Sequence, residues 1–196
     1  HNWTSNEKGK GIAAKNYLTA FWQTINARQP GVNWNIAYHL YPPVLTSSKM
    51  WLPKYTKYTP NNENAQYISA VNLNVLTDYV QNHFGMGTRI ILSEQGFTSR
   101  EGEEYQAAAL AYTFYAAQFN NMIDAVIFRS YETDPNDEGL DLGLKEAGGR
   151  ERPAYQVFKY MDTANGTSYT DPYLSVIGVS GWSQIVPNYN SLVNWN

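Results

Sequence analysis

The chain has 196 residues, 43% hydrophobic and 16% charged, with a formal net charge of -3 and a pI near 5.6. That length holds one sizeable core, and the acidic balance offers no basic surface that would make nucleic acid a main partner. No apolar run approaches the roughly 18 residues of a membrane span, and the absence of cysteine rules out a disulfide framework or a thiolate metal site.

The opening stretch HNWTSNEKGKG lacks a signal-peptide pattern and reads as an interior segment. The first helical periodicity follows over residues 9–29, where Ala14, Tyr17, Leu18, Phe21 and Ile25 share one face. The apolar run NWNIAYH, residues 33–39, has strand length. A second helix is predicted over 65–84 from Ile68, Val71, Val75 and Tyr79, and a second strand over RIILSE, residues 89–94. The third helix, 101–120, carries the stripe Tyr105, Ala108, Ala109, Tyr112, Ala116 and Phe119, with Thr98 and Glu101 as a capping box at its start. A third strand is predicted over IDAVIFRSY, residues 123–131. A short helix follows over 153–162, with Pro153 in its first turn.

Alternation of strand and helix predicts an α/β fold with a parallel sheet covered by helices. Connections from helix to strand are short, whereas those from strand to helix are long: one follows His39, another Tyr131. Long irregular loops carry function, and here all of them leave the C-terminal ends of strands. His39, Glu94 and Tyr131 therefore belong to one functional rim.

Glu94 ends the apolar run Arg89–Leu92 on a carboxylate, in SEQGF. A carboxylate there must be hydrogen-bonded or carry a raised pKa. It is either a functional acid or a structural one paired with Arg89 or Arg129. His39 and Tyr41, in AYHLYPP, are placed to orient it and to donate to sugar hydroxyls, and a purely structural histidine is the competing reading. The 16 Tyr and 6 Trp residues join a flat apolar face to a polar edge, as sugars do. Histidines are too scattered for zinc, and no phosphate loop or nucleophile elbow is present. In DPNDEGLD, Asp134, Asn136 and Glu138 echo a calcium loop, but Lys145 stands where its terminal glutamate belongs, so a solvated acidic loop is expected. No metal or other cofactor is expected.

RIILSEQGF, WNIAYHLYPP and HNWT together resemble the seventh, sixth and fifth strand segments of the large clan of retaining glycosidases built on (β/α)8 barrels. Nearly the whole chain is similar to the C-terminal half of an uncharacterised, mainly bacterial family of that clan. The resemblance implies one domain over 1–196, a partial TIM barrel of roughly strands five to eight. It implies a retaining glycoside hydrolase acting on a polysaccharide or oligosaccharide, outside the cell or in the periplasm. Glu94 matches the clan's nucleophile; His39 and Tyr41 match sugar-site positions; Asn2 and Trp3 fall at the fifth-strand rim. Tyr131 stands where the clan usually has a tryptophan platform. In the loop after His39, Trp51 joins Tyr38, Tyr41, Tyr55 and Tyr58 as a carbohydrate-contacting candidate.

The clan's acid/base glutamate, at the end of a fourth strand, has no counterpart here. Retaining hydrolysis needs two carboxyl groups about 5 Å apart. Glu7, Glu101 and Glu132 are substitutes, yet none ends a predicted buried strand. The chain is therefore expected to hold half of an active site and to be inactive by itself. The open face of half a barrel should pair with a missing N-terminal half or with another copy. The alternative is a non-catalytic carbohydrate-binding or scaffolding module on the same fold.

Overall fold

A computed structural model describes residues 2–5, 11–85, 87–136 and 138–186. It is an α/β structure whose sheet has three strands, β1 (Ile36–His39), β2 (Ile90–Gln95) and β3 (Ile123–Phe128), all parallel and in the order β1-β2-β3. β1 and β3 lie within the apolar runs read from the sequence, β2 runs one residue past its own to Gln95, and β3 stops three residues before Tyr131. Among the described residues no fourth strand joins the sheet. Residues 2–5 meet the chain at Tyr67 through an isolated antiparallel bridge. Their backbone groups are taken by Gln66 on one side and by Ala14 and Lys15 on the other, which leaves β1 as an edge.

One sheet face is packed and the other is open. Ile36, Tyr38, Ile90 and Leu92 point into the core at 0–5% exposure. Against them lie α1 (Ala14–Arg28), α3 (Leu73–Phe84) and α4 (Glu103–Gln118). The apolar stripe of α3 buries Leu73, Val75, Leu76, Tyr79 and Val80. In α4 burial extends round the whole helix, from Gln106 to Thr113, because the small side chains of Ala107–Ala109 and Ala111 admit close neighbours on every side. Two shorter helices, α2 (Pro53–Thr56) and α5 (Pro153–Tyr160), both begin on a proline, whose fixed φ suits the first helical position. The chain continues through α6 (Gly166–Thr170) and α7 (Leu174–Ile177).

α1 begins at Ala14, later than its periodicity; two further helix starts differ from the sequence reading, and side chains explain both. Residues 65–69 are not helical: Asn72 accepts from the Ser69 N–H and donates to the Tyr67 carbonyl, so regular helix begins only at Leu73. The capping box of Thr98 and Glu101 does not form. Glu101 instead accepts from Ser47 and pairs with Lys49, the Thr98 carbonyl accepts from Ser48, and α4 opens at Glu103 after Gly102.

Candidate active site at the strand tips

Glu94 owes its direction to an irregularity in β2. Tyr38 is opposite Leu92, but the next residue, His39, is opposite Glu94, so β2 carries one extra residue at this point. The same stretch breaks register with β3, between Leu92 and Gln95. A bulge of this kind re-aims side chains. Ser93 and Glu94 are both half-buried where strict alternation would have hidden one of them. Glu94 thus ends up beside His39, at the C-terminal end of the open sheet face.

Three side chains surround the carboxylate. Tyr41 donates a 2.6 Å hydrogen bond to Glu94 Oε1, Arg129 Nη1 lies 3.5 Å from the same oxygen, and His39 Nε2 lies 3.9 Å from Oε2. They arrive from separate segments: His39 ends β1, Tyr41 follows it by two residues, and Arg129 follows the end of β3. The hydrogen bond from Tyr41 holds the Glu94 carboxyl below its ordinary range, against a smaller opposing effect of burial, and His39 and Arg129 add to the lowering. Burial first, then the bond to Glu94, pushes the Tyr41 phenol up to about 12. The glutamate is therefore ionised at neutral pH and the tyrosine is a fixed donor. With its side chain 35% exposed, Glu94 is an accessible, oriented carboxylate.

The remaining sequence candidates do not join this cluster. Trp3 is fully buried, its ring edge-on to Tyr79 at 5.1 Å, so no ligand reaches it. Asn2 is half-buried at the bridge to Tyr67. Trp51 is half-buried and stacks on Tyr112 in near-parallel planes at 6.4 Å. Tyr131 is 59% exposed, three residues beyond β3, edge-on to Tyr155, with Lys145 Nζ 4.8 Å from its ring centre. Glu101 is held by Ser47 and Lys49, and Glu132 accepts from the Gly148 N–H. Glu7 lies outside the described residues. Among the described residues no group of three or more His, Asp or Glu side chains is arranged to hold a metal ion. In the acidic loop, Asp134 closes a local turn by accepting from the Asn136 N–H.

The chain belongs to a family of unknown function (DUF5722). The family model matches residues 1–185, so it covers both the sheet and the strand-tip cluster. No curated protein and no solved structure matches the chain.

Sequence reasoning weighed Arg129 only as a structural partner of Glu94, and it missed the support behind the DUF5722 cluster altogether. Arg152 is 4% exposed; it donates to Asp141 Oδ1 at 2.7 Å, to the Gly143 carbonyl at 2.7 Å and to Thr133 Oγ1 at 2.9 Å. Asp141 Oδ2 also accepts from Ser99, and buried Gln106 donates to the carbonyls of Phe97, Leu142 and Gly143. These bonds tie the loop after β3 to the segment that follows Glu94. Asp141 itself has φ +57°, which aspartate tolerates better than most residues. Nothing in the local sequence announces a network whose bonded partners are 9 to 42 residues apart.

Proposed function

We propose that this chain carries the nucleophile-bearing part of a retaining glycoside hydrolase acting on a polysaccharide or its oligosaccharides, with Glu94 as nucleophile. The observation that carries this reading is the ionised, half-exposed Glu94 carboxylate at a strand tip, oriented by a 2.6 Å bond from Tyr41. In this chemistry the carboxylate attacks the anomeric carbon as the glycosidic bond breaks, while a second carboxyl group protonates the departing oxygen. Water, deprotonated by that second group, then releases the sugar from its ester with Glu94. Tyr41 and Arg129 stabilise the returning carboxylate. His39, with its side chain 52% exposed, is available to a sugar hydroxyl.

The second carboxyl group comes from outside this cluster, since Glu101 and Glu132 are turned to other partners. The reading accordingly takes the sheet as part of a (β/α)8 barrel. Its open face supports this. Ile91 and Ile127 are 38% and 55% exposed, beside exposed Ala37 and Ala125, whereas a parallel sheet is ordinarily covered on both sides. A facing barrel half, or a second copy, would cover them. A polysaccharide substrate in turn implies work outside the cell or in the periplasm.

The deciding experiment measures glycoside hydrolysis by the polypeptide together with its facing half. Glu94→Gln abolishes turnover, and azide restores part of the rate to Glu94→Ala by entering as a replacement nucleophile. A Glu94→Gln rate within tenfold of the wild type would remove the assignment. A non-catalytic carbohydrate-binding module is the second reading, favoured by the presence of only one carboxylate in the cluster. Glycan binding without turnover in the assembled protein selects it.

A further inference from the structure

A second cleft, of about 270 Å³, lies at the opposite end of the strands. It opens between the last turns of α1 and the segments that enter β1 and β2. Trp34, which lines it, precedes His39 by five residues, roughly 16 Å along an extended strand. The cleft therefore shares no side chain with the Glu94 cluster.

Its walls are of two kinds. Trp22, Trp34 and Phe84 form a wall of rings, with Trp22 stacked on Phe84 at 5.7 Å and Trp34 tilted against Phe84 at 5.4 Å. The amides of Asn26, Gln29 and Asn33, all exposed residues, line it as well. Among the described residues these three amide side chains have no intramolecular hydrogen-bond partner, and no ionisable side chain lines the cleft. The rings continue outward: Phe21 packs edge-on to Trp34 at 5.3 Å, and Tyr17 stacks on Phe21 at 6.3 Å. Phe21 is 39% and Tyr17 54% exposed, so the aromatic strip runs from the cleft onto the surface of α1.

Packing α1 on the base of the sheet explains why the rings are apolar. The same cleft is also bordered by three exposed amides that are open to a ligand. A primary amide offers two donors and one acceptor in a plane, which suits adjacent hydroxyl groups. An aromatic face suits the apolar C–H face of a pyranose. A neutral lining cannot compensate the desolvation of a charged ligand. The volume is close to the lower end for small-molecule pockets and accommodates about one sugar ring, with further rings lying along Phe21 and Tyr17. We infer that this cleft and strip form a second, non-catalytic binding site for a neutral oligosaccharide chain. The inference does not depend on hydrolysis at Glu94.

The test titrates the full chain with neutral β-linked gluco-, manno- and xylo-oligosaccharides, following tryptophan emission and heat, with an oligouronate as the charged control. At least one neutral oligomer perturbs the emission and the oligouronate does not. Asn26→Ala/Asn33→Ala removes exposed amides without touching the core and raises the Kd at least tenfold; Trp22→Ala does so as well. Glu94→Gln leaves this Kd unchanged. Any of three results overturns the site: no response to any neutral oligomer, equal binding of the oligouronate, or an affinity that survives the amide substitutions. A concentration-dependent increase in mass, abolished by Tyr17→Ser/Phe21→Ser in a chain that binds no glycan, would identify the strip as a protein interface and overturn the site too.

Discussion

Tyr41 and Glu94 stand 53 residues apart in sequence and share a 2.6 Å hydrogen bond, with the phenol as donor and the carboxylate as acceptor. The bond depends on two independent features, the bulge that turns Glu94 toward β1 and the burial of Tyr41 to 8% exposure just past the end of that strand. A mobile phenol would bond as readily to water. A buried one has the carboxylate as its partner, and the carboxylate in turn is held in one direction.

Replacing Tyr41 by Phe keeps the packing and removes the donor. A hydrogen bond to a charged group is worth about 1.5–3 kcal/mol, which corresponds to roughly 10- to 100-fold in kcat/KM if the bond is needed in the transition state. The pH profile gives the sharper readout. The Tyr41 bond holds the Glu94 pKa down, so its loss raises that pKa, and activity on the acid side falls away at a higher pH than in the wild type. An acid limb that stays in place in Tyr41→Phe contradicts the coupling.

Arg152 and Asp141 give a stability prediction. Arg152→Ala leaves the half-exposed Asp141 without its cation and two buried carbonyl and hydroxyl acceptors without their donor, at a cost of about 3 kcal/mol, the low end for a broken buried pair. Burial opposes ionisation of Asp141, but hydrogen bonds from Ser99, Arg152 and Thr133 outweigh it and hold its pKa below the ordinary value. The folded-state pKa is thus the lower one. The contribution is fully present above the unfolded-state pKa, about 3.9, and is lost as pH falls through the depressed folded value. Urea melts at neutral pH and near pH 3 should show the wild type losing this contribution and Asp141→Asn, which never has it, losing less. Equal acid sensitivity in the two proteins would count against the network.

The open sheet face predicts association. Ile91→Asp/Ile127→Asp changes only exposed positions, so monomer stability should shift by about 0.5 kcal/mol or less per site. Sedimentation velocity over a hundredfold concentration range, with and without the proposed facing half, should show the wild type forming a complex and the double variant remaining alone. A wild-type chain that stays monomeric and takes up no apolar dye would show that the face needs no cover.

The parts of this molecule that were legible in the sequence are those fixed locally. Ile36–His39, Ile90–Gln95 and Ile123–Phe128 each hold a short apolar run of strand length, and their order with the helices gives the α/β class directly. Glu94 was legible because a carboxylate at the end of such a run needs a reason. The burial of Trp3 was not legible, since its contact with Tyr79, 76 positions away, has no local pattern to report it. The same holds for Arg152 and Gln106, polar residues whose buried partners are loop carbonyls. Tyr131 fell outside the strand because β3 ends at Phe128, where Gln95 pairs with it and the ladder stops.

Gly96 links these threads, since it is the glycine of SEQGF. A Cβ at that position would lie 2.7 Å from the Arg129 carbonyl oxygen and 2.9 Å from Leu142 Cδ1. Both distances are below any real Cβ contact, and the first neighbour is backbone that cannot rotate away. Gly96→Ala must therefore push β2 and the segment after β3 apart at the level where the Arg129 N–H donates to the Gln95 carbonyl at 2.8 Å. The expected cost is about 1–3 kcal/mol of overpacking. Because Arg129 moves with that backbone, its guanidinium leaves Glu94, and if Glu94 is the proposed nucleophile kcat/KM should fall about tenfold or more. Gly181→Ala is the control, for its added methyl group meets Ser183 Oγ only at an ordinary 3.8 Å and its backbone is extended. If Gly96→Ala melts with the wild type, the tight approach of the two segments at this rim does not exist, and the position of Arg129 beside Glu94 loses its structural basis.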